Sequence, residues 1–380
     1  MQNHQDIQKE HIQQLVAQGA LHELVDVYNK KDIHPADWAE LLEPLGPAEM
    51  ARFIEVAGPV EALEFFEFAP FEIQKEVLRQ LSRETLAKLI SQMSPDDRAD
   101  LIEDMDEVLQ ERILSLLIRA ERQNILKLIN YPDDSAGAYM TTDYALLRHN
   151  DSVEAALEQL RLQAPKKETI YYVYVVDAAT RLIGFLSLRN LITAPKRELV
   201  GNVMNRSIIS VRVNEDIEDV ANKMQHYDFL AMPVVSEDNR LVGIITYDDI
   251  YDVIEEEVQE DMYLLANLDT DESIESPLYR SVKLRVPWLL FNLVTALLVA
   301  YTVEQFSESI SRFVLLAAMM PVVAMLGGNA GNQSLTVVVR ALATGEIDLG
   351  SNWKVLVKEV GVGFLNGLIL GGAIGLIALF

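Results

Sequence analysis

The side chains best suited to chemistry in this 380-residue chain are carboxylates, and three stretches gather them at helical spacing. Asp96, Asp97 and Asp100 open one apolar-periodic segment, with Asp96 and Asp100 four apart and so on one face. Asp216, Glu218 and Asp219 open another, and Asp228 follows its end. The third set is Asp248, Asp249, Asp252, Glu255, Glu256, Glu257, Glu260 and Asp261, acidic on nearly every helical face. Taken singly, each acid reads as a solvated helix surface. Taken together they do not, because like charges four apart destabilise a helix by about 0.2–0.5 kcal/mol per pair. Such a helix calls for counter-ions or partners, and hard divalent cations, which take oxygen ligands, supply both. Rival chemistry is missing. There is no cysteine, the six histidines are scattered (His4, His11 and His22 among them), and no Gly-rich phosphate loop occurs, so no catalytic set assembles.

The net charge of −26 repels phosphate backbones and argues against nucleic acid as a partner. That charge is unevenly placed. Up to Val282 there are 53 acids against 26 bases, a net of −27, and beyond it 5 against 6, a net of +1. The second part holds three uncharged runs, 286–303, 313–339 and 360–380, each close to the roughly 20 residues that cross a bilayer as helix. Lys283, Arg285, Arg340, Lys354 and Lys358 flank one side of these runs and Arg312 the other, which places the acidic region in the cytoplasm. The first 20 residues are polar and carry no secretory signal. The last run stops on apolar Phe380 without a polar flank, the ending expected of a shortened chain.

Two textures precede the apolar runs. From Ile12 to Ile129 apolar residues recur at spacings of three and four, interrupted at Pro44, Pro47, Pro59, Pro70 and Pro95. At Ser94-Pro95 a capping serine precedes a proline in the first helical position. Short helices with such regular breaks predict a stacked superhelix. After Tyr131-Pro132-Asp133-Asp134 the pattern mixes strand and helix, and two stretches repeat: VVDAATRLIGFLSLRNLI at 175–192 and VVSEDNRLVGIITYDDI at 234–250, with Gly184 and Gly243 equivalent. Each repeat reads as strand, acid-capped helix, strand, Gly-containing turn, strand and helix.

The paired repeat resembles a tandem cystathionine-beta-synthase (CBS) domain. Downstream, PVVAMLGGNAGNQ at 321–333 followed by RALATGEI at 340–347 resembles the signature of the MgtE family of magnesium transporters and channels. The resemblance covers the chain end to end. It implies a multidomain protein: an all-α superhelical amino domain (1–132), two α/β CBS repeats (133–200 and 201–260), a connecting or plug helix (261–282) and an α-helical membrane domain with three spans (283–380). It also implies a homodimer in the bacterial inner membrane, multi-pass, with Mg2+ as both transported and regulatory ion. In the family, cytosolic Mg2+ bridges the amino domain, the CBS pair and the plug helix. The matching positions are Glu64, Asp96, Asp100 and Gly137 (by carbonyl), Asp216, Glu218, Gln225 (by carbonyl) and Asp228, then Asp249, Asp252, Glu257, Glu260 and Asp261. Glu61 and Glu67 stand close enough to take the place of Glu64.

Family members also bind ATP in the CBS pair. Tyr172, Arg189 and Phe229 fall at matching places for stacking and phosphate contact, although core packing accounts for Tyr172 and Phe229 equally well. Asn190 stands where many CBS modules hold ribose with an acid. Gly328, Asn329 and Asn332 would line the pore, either as a wall of a broken helix facing hydrated Mg2+ or as a small-residue packing seam. The family pattern has five spans and an aspartate in the last, whereas this sequence ends in the third. The expectation is a chain that senses Mg2+, closes at high Mg2+ and opens at low Mg2+. The alternative is a CBS-regulated transporter of another ion, a class in which the CBS pair usually follows the membrane domain.

Overall fold

The computed structural model describes residues 2–266, 268–270, 272, 274, 276–343, 347 and 353–377, the side chains of residues 1–8, Asp261, Leu316 and Ala343 excepted. It forms two compact units, Met1–Ile250 and Tyr251–Phe380. The first unit opens with ten short helices: α1 (Gln2–Gln18), α2 (Leu21–Tyr28), α3 (Pro35–Leu42), α4 (Gly46–Ala57), α5 (Pro59–Phe66), α6 (Phe71–Gln80), α7 (Arg83–Gln92), α8 (Pro95–Glu103), α9 (Glu107–Leu114) and α10 (Arg119–Leu128). Prolines lie in the first turn of α3, α4, α5 and α8, where the missing N–H costs nothing. Ser82, Ser94 and Asp106 cap α7, α8 and α9 by accepting from backbone N–H groups. Several helices pack on the one two places along, α2 on α4, α3 on α5, α4 on α6, α5 on α7, α7 on α9 and α8 on α10, which is the stacked arrangement expected. An aromatic knot anchors the early layers, with Tyr28 meeting Trp38, Phe53 and Phe65 edge-on at 5.2, 5.6 and 5.7 Å.

The repeats follow as β1 (Tyr144–Arg148), α11 (Val153–Gln163), β2 (Thr169–Val176), β3 (Leu182–Ser187) and α12 (Leu188–Thr193), then α13 (Val200–Val203), β4 (Val211–Arg212), α14 (Ile217–Tyr227), β5 (Ala231–Val235), β6 (Leu241–Thr246) and α15 (Tyr247–Leu265). Each builds a three-stranded sheet, β1-β2-β3 and β4-β5-β6, with a parallel pair followed by an antiparallel one. Apolar residues of both sheets, Tyr174, Val176 and Leu182 with Ala231, Val235, Leu241 and Ile244, share one core. Gly184 and Gly243 are not in turns, as the sequence suggested, but inside β3 and β6 opposite Val175 and Val234. The turns are made by Asp177, whose carboxylate accepts from Ala179 and Arg181 N–H, and by Thr180 and Asn239 at φ 62° and 59°. The glycines serve close approach instead. A Cβ on Gly243 would lie 2.6 Å from Met140 Sδ and 2.9 Å from the Thr141 carbonyl; one on Gly184 would lie 2.4 Å from Met204 Sδ.

The second unit holds the rest of α15, then α16 (Leu278–Glu304), α17 (Ser307–Arg312), α18 (Val314–Ala343) and α19 (Trp353–Ile377). The connecting helix expected over 261–282 is not one helix. α15 ends at Leu265, the described residues up to Pro277 are non-helical, and α16 starts at Leu278 because Pro277 cannot continue a ladder from before it. Among the described residues α16 and α19 are long and apolar enough to cross a membrane. α18, the third expected span, is 30 residues long and carries no charged residue before Arg340. α16 and α19 display Phe291, Leu289, Leu368 and Ile369 at 57–69% exposure, surface that water disfavours and lipid accepts.

Candidate functional site

Carboxylates from four places in the first unit crowd one seam: Glu67 just past α5, Asp96, Asp97 and Asp100 in the first turns of α8, Glu168 just before β2, and Asp248 and Asp249 opening α15. The helix starts at α8 and α15 ought to favour negative charge. Desolvation and mutual repulsion win instead. Asp96 is only 6% exposed, and burial with help from Asp97 raises its pKa to about 6. Burial and the charges of Asp96, Asp248 and Asp97 push Asp249 up to about 7, against the opposing hydrogen bond from the Thr246 hydroxyl. Glu168 rises to about 8 through burial and then Asp96, Asp97, Asp249 and Asp248. Glu67 and Asp100 rise to about 7, the first through burial, Asp97, Asp96 and Glu64, the second through burial, Asp96, Asp97 and Glu103.

Glu67, Asp97 and Glu168 line a cleft of about 870 Å3 between the helical layers and the first repeat. These three side chains are therefore exposed to the cleft while protein surrounds them on the other sides. Asp96 lies deeper, and its Oδ1 has no hydrogen-bond partner. Thr141, whose hydroxyl serves Asp96, is pinned to β6 by reciprocal backbone bonds with Ile244 at 2.8 and 3.0 Å. A buried carboxylate oxygen without a donor is costly and fits a cation. Among the described residues, no group of three or more His, Asp or Glu is drawn together closely enough to hold a metal ion directly. The seam is a field of coupled charge, suited to an ion that keeps most of its waters.

The other residues singled out in the sequence fall in separate places. Glu64 pairs with Lys31, 3.0 Å away, with both side chains half exposed, and its charge still reaches Glu67 in the seam. The loop of Gly137 docks on the start of α14: Ala136 and Gly137 N–H donate to the Glu215 and Val213 carbonyls at 2.8 and 2.9 Å. Asp216 caps α14 by accepting from Glu218 N–H at 3.0 Å. Asp228 ends that helix in the left-handed region at φ 54°, and Gln225 is exposed one turn before it. Asp252, Glu257 and Glu260 belong to α15 within the second unit, where burial and Asp252 raise the pKa of Glu256; the side chain of Asp261 lies outside the described residues. Glu168 was missed. Its neighbours in sequence carry no acidic pattern, and only the tertiary fold brings it to α8.

Tyr172 and Phe229 do meet, edge-on at 6.3 Å, and with Tyr174, Phe185, Ile208 and Pro233 they line a shallow apolar pocket of about 10 Å3, room for about one water. Arg189 is exposed on α12 and is not among the residues lining this pocket. α18 runs unbroken through Gly328, Asn329 and Asn332, so the helix break imagined for a pore wall is absent, and a Cβ on Gly327, Gly328 or Gly331 would meet nothing within 4 Å.

Comparisons with known proteins agree with this layout. Residues 33–134 match the MgtE intracellular N domain, 136–197 and 200–256 match CBS domains, and 320–380 match the family model described as a divalent cation transporter. The magnesium transporter MgtE of Thermus thermophilus is 42% identical over 68% of this chain and 58% of its own length. That of Enterococcus faecalis is 39% identical over 66% and 55%, so the chain spans little more than half of these two relatives. That of Bacillus subtilis is 32% identical over 81% of this chain and 68% of its own length. The crystal structure of the cytosolic domain of the Mg2+ channel MgtE in complex with ATP superposes with a TM-score of 0.60 at 37% identity, covering 64% of this chain and 99% of that one. The soluble part of a magnesium transporter gives 0.61 at 33% identity, covering 66% and 98%. The chain belongs to the MgtE family of magnesium transporters.

Proposed function

We propose that this chain is a Mg2+-gated transporter or channel for Mg2+ in the bacterial inner membrane, working as a homodimer with its acidic part in the cytoplasm. The observation that carries the reading is the facing of Asp96 and Asp97 of α8 toward Glu168 and toward Asp248 and Asp249 of α15, with the carboxyls of Asp96, Asp97, Glu168 and Asp249 all pushed toward their protonated forms. Without counter-ions at neutral pH these faces repel. Hydrated Mg2+ supplies the positive charge that lets them close. The residues that would hold it at the seam are Asp96, Asp100 and Asp249, with Glu64 or its neighbour Glu67. Gly137, Asp216, Glu218, Gln225 and Asp228 would serve further ions beside α14, and Asp252, Glu257, Glu260 and Asp261 others along α15. Because α15 starts in this seam and leads in sequence to the apolar helices, closing the seam would fix the start of α15, and α15 would then hold the pore shut. Gly328, Asn329 and Asn332 present the amides and bare backbone a hydrated cation would pass. Several weak sites acting together give the steep concentration dependence a gate needs.

ATP binding at the Tyr172–Phe229 pocket is a second element of the proposal, supported by the ATP-bound cytosolic domain among the similar structures. The rings would have to part to admit a base.

The test is small-angle scattering of the purified chain in detergent while Mg2+ is raised from chelated to millimolar. The reading expects a cooperative fall in radius of gyration that Asp96→Ala or Asp249→Ala weakens. A radius that ignores Mg2+ would sink it.

A further inference from the structure

Several described residues after α15 lie beside it. Leu268 N–H donates to the Tyr263 carbonyl at 2.9 Å, and Thr270, Glu272 and Ile274 then line a cleft of about 620 Å3 together with Glu256, Gln259, Glu260 and Tyr263 of α15. Glu272 is 6% exposed although it sits beside two other glutamates, an arrangement that charge alone disfavours. Arg285, in the second turn of α16, resolves it. Its Nε donates to both carboxylate oxygens, at 2.8 and 2.9 Å, and its Nη2 donates to Oε1. Ser281, one turn earlier on the same helix, adds a further hydrogen bond. The carboxylate is covered by these immediate partners rather than by a deep core, and Arg285 keeps half of its own surface in solvent.

An exposed single ion pair would fluctuate and contribute little. This one is forked, uses three guanidinium contacts and leaves Glu272 almost no solvent, so it fixes direction as well as distance. The alternative to fixation is slack: residues 266–277 could reach about 40 Å if extended, far more than a transmitted helix movement needs. We propose that the Glu272–Arg285 pair is a clasp that couples α15 rigidly to α16, so that whatever displaces α15 displaces the first apolar helix with it. The inference rests on the gate reading for its purpose, but not for its geometry.

The chain contains no cysteine, so spin labels placed by Val258→Cys on α15 and Tyr301→Cys on α16, both more than half exposed, report alone. Distances between them are measured on the full chain, diluted with excess unlabelled chain, in lipid nanodiscs, with chelator and with millimolar Mg2+. The clasp predicts a narrow distribution in both conditions, broadened about twofold by Glu272→Arg or Arg285→Glu and narrowed again when both exchanges are combined. Glu272→Gln, a milder change, broadens it less. Single exchanges that leave the distribution narrow, or a combined exchange as broad as the single ones, would overturn the clasp. A width that follows this pattern while the mean ignores Mg2+ upholds the clasp and counts against the gate.

Discussion

Replacing Asp96 by Asn removes the most deeply buried charge of the acidic seam while keeping its shape. The pKa of Asp96 stands at about 6 in the fold against 3.8 for an ordinary aspartate, a difference of about two units. Each unit is 1.36 kcal/mol, so above pH 6 the ionised carboxylate costs the fold about 3 kcal/mol. The sign follows from proton uptake. A carboxyl whose folded pKa is raised binds more protons folded than unfolded between those two values, so stability is highest below about pH 4 and is lost as pH rises through about 6. In chelator at about pH 7.5, Asp96→Asn is therefore expected to raise hydrogen-exchange protection of the α8 amides by up to about a hundredfold, the two-unit shift read as an equilibrium factor. Below about pH 4 the two chains converge. Millimolar Mg2+ raises protection in the unmodified chain and adds little to the variant. Equal or lower protection of the variant in chelator would refute the claim that Asp96 is held as an unfavourable charge.

Three further outcomes follow from the same geometry. With chelator present, lowering pH from about 8 to about 6 is expected to compact the chain as Mg2+ does, because Glu168, Asp249, Asp100 and Glu67, raised to about 8, 7, 7 and 7, take up protons when the seam closes; scattering against pH checks this. Gly243→Ala is expected to cost about 1–3 kcal/mol, read as a lower Tm, since the Thr141 carbonyl 2.9 Å from the new Cβ belongs to a backbone pinned on β6 and cannot swing aside. Phe229→Ala is expected to weaken ATP binding, followed by fluorescence titration, about tenfold more than Arg189→Ala, because Phe229 lines the apolar pocket and Arg189 does not.

The sequence disclosed what is local. Proline and serine at helix starts marked the stacked helices, and the doubled VGI/IGF strands marked the repeats, because caps and strand periodicity act within a few residues. It misassigned Gly184 and Gly243 to turns because glycine is the usual turn residue, whereas here Thr180 and Asn239 adopt the left-handed backbone and glycine relieves a methionine contact across the sheets. Asp96 and Asp249 were visible as acids in dense sets. Glu168 was not, since its partners lie about 70 residues before it and 80 after it in the chain. The pairing of Glu64 with Lys31, 33 residues earlier in the chain, is likewise invisible in a local window. The connecting helix is shorter than the sequence suggests, since α15 ends at Leu265 and α16 begins only after Pro277, and the long-range contact of Glu272 with Arg285 is invisible in any local window.

Limited proteolysis of the purified full chain, with chelator or with millimolar Mg2+, tests most directly whether the facing acids are the Mg2+ sensor. The account predicts that Mg2+ slows cleavage between the helical layers and the repeats, around Tyr131–Asp134, and that Asp96→Asn with Asp249→Asn removes most of the dependence on Mg2+. Cleavage at identical rates with and without Mg2+ in the unmodified chain would contradict it.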